Sequence, residues 1–90
     1  MTVLMTSNMP GLTQEGYDHL ASALLPVLAS TDGFIAHAAG PVDGGFLVTE
    51  LWESEAAHEA WFTARVAPAM PADAPAPDLS FRPVVNVVLR

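Results

Sequence analysis

Apolar residues recur along this chain in two different periods, and the changes of period mark out its elements. Met1–Met9 is a short run rich in apolar and β-branched residues with no breaker before Pro10-Gly11, which predicts a first strand. Tyr17, Leu20, Ala21, Leu24, Leu25 and Leu28 then fall at i, i+3, i+4, i+7, i+8 and i+11, the longest helical signal in the chain. Thr13 stands where an N-cap belongs, and Glu15 lies in the first turn, where it favours the helix dipole. Pro26 removes one backbone bond inside this helix and predicts a kink or a short last turn. Asp32-Gly33 ends the helical region, and Phe34–Ala39 reads as a second strand closed by Gly40-Pro41. The turn-forming Asp43-Gly44-Gly45 joins it to a third strand, Phe46–Glu53, so the two make a hairpin. Ser54 is an N-cap for a second helix with Glu55 just inside it. Its expected buried stripe is Ala57, Ala60, Trp61, Ala64 and Pro68, with Glu55, His58 and Glu59 in solvent. Pro68, Pro71, Pro75 and Pro77 make Ala67–Asp78 a helix end followed by a semi-rigid loop. Leu79–Leu89 is the expected last strand, with Pro83 implying an edge position or a bulge.

The order β-α-β-β-α-β predicts an α+β protein: one ferredoxin-like domain over residues 1–90, with helices on one face of a four-stranded antiparallel sheet. Strands covered on one face alternate polar and apolar residues. Here Phe34–Ala39 and Val84–Leu89 are mostly apolar on both sides. The helices supply one layer of cover, and a second copy of the sheet is the simplest source of the other. The expected assembly is therefore a homodimer in which two sheets pair into a dimeric α/β barrel.

Composition narrows the function. Half of the 90 residues are apolar, at 51%, and 14% are charged, which leaves more apolar surface than one small core absorbs. No cysteine is present, so no disulfide braces the domain; this is compatible with a reducing cytoplasm, the expected location. Met1–Pro10 has neither a basic segment nor a long apolar one, so no secretory signal is expected. No stretch approaches the roughly 20 apolar residues of a membrane span. The net charge of −7 argues against nucleic acid and anionic membranes as partners, since both need Lys and Arg.

Glu50-Leu51-Trp52-Glu53-Ser54, at the junction of strand three and helix two, followed by Trp61-Phe62 on that helix, resembles the antibiotic-biosynthesis-monooxygenase-like group of the dimeric α/β-barrel superfamily. Gly33-Phe34-Ile35 and Val84–Val88 are similar to it as well, and the likeness spans nearly the whole chain. The resemblance implies a cofactor-free monooxygenase acting on a small aromatic or polyketide-type molecule such as a quinol or anthrone. A non-catalytic ligand-binding dimer is the alternative on the same fold, and haem binding or degradation a further one. Haem degraders of the group use an asparagine near the end of strand one, a tryptophan on helix two and a downstream histidine; Asn8 and Trp61 match the first two, and no histidine follows His58.

Seven residues are candidates for the site. Asn8 is an amide in an apolar strand that either bonds backbone or points into a pocket. His37, between two alanines, suits a general base near neutral pH or a histidine satisfied by a neighbour. Trp61, with Asn8 and His37, completes the expected catalytic set. Trp52 and Phe62 would wall a pocket for a flat ligand or pack the core. Glu50, if inward-facing, is an acid, a base, or the partner of Arg65 or Arg82; Tyr17 is a core residue or lines the pocket. Three scattered histidines without cysteine offer no metal spacing, so neither metal nor cofactor is expected.

Overall fold

The computed structural model describes all residues, Met1–Arg90. Its elements run β1 (Val3–Pro10), α1 (Gln14–Leu28), β2 (Phe34–Val42), β3 (Gly45–Trp52), α2 (Glu55–Trp61), a π-helical turn (Phe62–Val66), a short α3 (Ala67–Ala69) and β4 (Asp78–Pro83). The sheet is antiparallel with the order β2-β3-β1-β4, the ferredoxin-like arrangement that the order of elements predicts.

Both helix starts form as their capping residues dictate. The Thr13 side chain accepts from the Gly16 N–H and the Ser54 side chain accepts from the Ala57 N–H. Pro26 is accommodated inside α1, which continues through Leu28. On β1 and β3 alternate residues face the helices: Val3, Met5 and Ser7, and Phe46, Val48, Glu50 and Trp52, are buried. Trp52 is wholly enclosed. Burying about 200 Å² of such a ring contributes roughly 5 kcal/mol. It packs with Val3, Met5, Val48, Leu28 and Trp61 into one core between sheet and helices.

Gly33 brings α2 down onto this core. Its φ is +84°, and a Cβ there would lie 2.6 Å from that of Ala57. Only glycine allows both the left-handed turn and that approach.

Two expectations are corrected. The stripe expected on the second helix is rotated: His58 and Trp61 are buried, while Ala60, Ala64 and Pro68 are exposed. Beyond Trp61 the π-turn holds one residue more than an α-turn, so Val66 turns inward and Arg65 outward. The last strand stops at Pro83, an edge residue without an N–H. Val84–Arg90 lies outside the sheet, tied to it by one bond from the Val84 N–H to the Thr2 carbonyl, with Val85 and Val88 almost fully exposed. No helix is long and apolar enough to cross a membrane.

Candidate active site

A cleft opens between the inner face of the sheet and the helices. Leu20, Leu24 and Leu28 of α1 form one wall, Met5, Met9 and Val48 the floor, and Trp61, Phe62 and Val66 the opposite wall. Its empty volume, open mouth included, is about 610 Å³, and the centre of a water molecule can roam about 80 Å³ of it. That is small beside the roughly 300–1,000 Å³ of many ligand sites. Met5 and Met9, unbranched and flexible, line the cleft.

The polar groups of this apolar cleft form one connected row. Glu50, 5% exposed in the middle of β3, accepts from the Trp52 indole N–H at 2.9 Å and meets His37 Nδ1 at 2.6 Å. His37 Nε2 lies 2.8 Å from the Tyr17 hydroxyl. As a carboxylate Glu50 only accepts, so Nδ1 carries the imidazole proton, Nε2 is the acceptor, and Tyr17 O–H donates to it. Tyr17 is held from the other side by stacking on Phe46, with ring centroids 5.1 Å apart. Burial, reinforced by the negative charges of Glu50 and Asp18, pushes its hydroxyl above the ordinary tyrosine range, so it stays a neutral phenol.

A β-bulge brings His37 into this row. Phe34 is opposite Trp52 and His37 opposite Glu50: three residues along β2 against two along β3, with the irregularity between Phe34 and Ala36. Residues three apart on a regular strand point to opposite faces. The extra residue lets both Phe34 and His37 face the helices.

Of the residues singled out by sequence, Tyr17, His37, Glu50, Trp61 and Phe62 line the cleft together. Trp52 lies behind it, holding Glu50. Asn8 is not there: Ser7 and Met9 take the inward positions, and Asn8 is exposed on the opposite face. Glu50 pairs with His37, and neither Arg65 nor Arg82 reaches it. The residue that sequence reading missed is His58, placed in solvent by the assumed stripe but 3% exposed here and lining the cleft. Its spacing to Trp61 and Phe62, i+3 and i+4, is the signal that could have found it. Burial lowers its pKa below the ordinary histidine value, opposed in part by Glu50, Glu55 and Glu59. No group of side chains in the protein is arranged to hold a metal ion.

This arrangement of sheet and helices is shared with known structures. A Chloroflexus aurantiacus protein provisionally described as an antibiotic biosynthesis monooxygenase superposes with a TM-score of 0.68 at 18% identity, covering 98% of this chain and 97% of that one. The cofactor-independent oxygenase SnoaB from Streptomyces nogalater gives 0.66 at 10% identity, covering 99% and 97%. The haem degrader MhuD from Mycobacterium tuberculosis, solved with two haems bound in its active site, gives 0.58 at 20% identity, covering 98% and 99%. No protein-family model matches the sequence, and no curated protein resembles it significantly. The chain has the fold of the antibiotic-biosynthesis-monooxygenase-like proteins.

Both nitrogens of His37 are engaged, one with Tyr17 and one with Glu50, so it offers no free ligand to a haem iron.

Proposed function

We propose that the protein is a cofactor-independent oxygenase that takes an acidic proton from a small quinol- or anthrone-like aromatic molecule bound in the cleft. The observation that carries this reading is the Tyr17–His37–Glu50 row at the wall of an otherwise apolar cavity. A ligand hydroxyl or activated C–H delivers its proton to the Tyr17 oxygen as the tyrosine's own proton passes to His37 Nε2. Glu50, held by the Trp52 N–H, stabilises the imidazolium that forms. Apolar walls including Trp61 and Phe62 hold the ring and keep water from the anion, at roughly 25 cal/mol per Å² buried.

The anion, electron-rich and desolvated, passes one electron to O₂. Radical and superoxide combine to a peroxide anion, which takes back the proton held by the relay and loses water: a ring CH₂ and O₂ become a ring C=O and H₂O. The SnoaB likeness supports this chemistry at the level of fold.

Oxygen uptake with a panel of anthrones and quinols tests the reading. Uptake by the wild type that falls by about 10²–10⁴ in Tyr17→Phe and His37→Ala, both still folded, is the expected result. Saturable binding without uptake would instead make this a ligand-binding protein. Uptake undiminished in both variants removes the row from the mechanism.

A further inference from the structure

His58 is a buried polar side chain that the proton relay does not use. It is 3% exposed, yet its imidazole makes no hydrogen bond within the protein, and no buried side-chain nitrogen of the molecule is both sealed off and unpartnered. Its ring nitrogens are therefore not completely sealed. The residue lines both the cleft and, beside it, a shallow hollow whose rim carries Glu55 and Glu59. An imidazole fixed among Trp52, Phe62 and Phe81 has one donor and one acceptor, and the protein occupies neither.

Its position complements the row at the other end. His58 packs on Trp52 of β3 and Phe81 of β4, which places it over β1, the strand between them. His37 is on β2, two strands away, and two interstrand spacings are roughly 10 Å. The apolar wall runs between these two polar ends.

We propose that His58 is a second ligand-contacting residue, which hydrogen-bonds a polar substituent at the end of the bound molecule remote from Tyr17 and His37. The site thereby selects elongated aromatic molecules that carry polar groups at both ends over those polar at one end only. Burial keeps the imidazole neutral, so it offers a donor and an acceptor rather than a charge, and suits hydroxyl or carbonyl groups. This inference rests on the reading of the cleft as a site for small aromatic molecules and adds to it the pattern of the ligand.

Calorimetric titration of the full chain with 2,6-dihydroxynaphthalene and with 2-naphthol separates the two claims. The wild type is expected to bind the diol about tenfold more tightly, the scale of one hydrogen bond. His58→Phe keeps the aromatic bulk and should bind both compounds equally, at the wild-type affinity for 2-naphthol. His58→Gln, which keeps a donor and an acceptor, should restore part of the preference. A preference that survives in His58→Phe, or a wild type that binds 2-naphthol without preferring the diol, overturns the role of His58 and leaves the cleft reading standing. Failure of the wild type to bind either compound overturns both. Should His58→Phe not fold, nitrogen-15 NMR of the wild type decides: the His58 ring signals must move with the diol and not with 2-naphthol, and immobility with both rejects the contact.

Discussion

Glu50 has two donors aimed at it, the buried Trp52 indole and the half-buried His37, and this makes its replacement informative. In Glu50→Gln one amide oxygen must serve where two carboxylate oxygens did, and the amide NH₂ must face the other partner. Facing His37, it turns Nδ1 into an acceptor and moves the imidazole proton to Nε2, which then donates to Tyr17. The relay runs backwards and cannot take a proton. Glu50→Gln is expected to lower kcat by about 10²–10⁴ with KM nearly unchanged, at a stability cost of about 1–3 kcal/mol. Steady-state oxygen uptake and urea denaturation measure the two. His58 makes stability pH-dependent with a definite sign. Its pKa is lower folded than unfolded, so the unfolded chain binds the proton more readily, and stability present above pH ~6.5 is lost as pH falls below that value. Urea midpoints between pH 7.5 and 5.5 should drop in the wild type, and more steeply than in His58→Phe.

At the scale of elements, what the sequence reveals depends on whether the signal is local. Thr13 and Ser54 cap their helices because capping involves only residues within one turn. Ser54→Ala should cost about 1 kcal/mol in a urea melt. The stripe on α2 differs from the expected one because alanines carry little information about burial: Ala57, Ala60 and Ala64 fit several faces of a helix, whereas His58, Trp61 and Phe62 define one. The π-turn that exchanges Arg65 for Val66 has no sequence signature at all, so Arg65, one of two candidate partners for Glu50, could not be excluded beforehand. Glycine at 33 was legible as a breaker, but its role as the seat of α2 depends on a residue in another element. Gly33→Ala is expected to destabilise by about 1–3 kcal/mol through the left-handed φ, with the Ala57 contact adding to it. Denaturant midpoints check this.

For the molecule as a whole, the fold was readable because six alternating elements on one small chain leave few topologies open. Assembly stands on different ground. The expectation of a homodimer came from two segments that looked apolar on both sides, and one of them, Val84–Leu89, is not in the sheet. What the chain does present is an outer sheet face with Leu4, Leu47 and Leu51 partly exposed, and a tail on which Val85, Val88 and Leu89 are 97%, 91% and 63% exposed. Both need cover that a single copy does not give. Sedimentation equilibrium is expected to show a dimer, and removal of Val84–Arg90 to shift it toward monomer. A monomer at all concentrations would return the outer face to solvent, and Asn8 with it.

The extra residue at the start of β2 divides that strand into two stretches that obey opposite counting rules. Phe34 faces the helices on an even position, and His37 does so on an odd one. Deleting Ile35 would remove the irregularity and leave Phe34 and His37 two apart on a regular strand, still on one face. Moving the irregularity past residue 37 would instead leave them three apart on a regular strand and swing the imidazole to the far side of the sheet without changing a single side chain at the site. A protein with this outline and a histidine at the same distance from its turn thus has the relay only if it also has the hiccup, so kinship of shape alone is a poor guide to which of its cousins can move a proton.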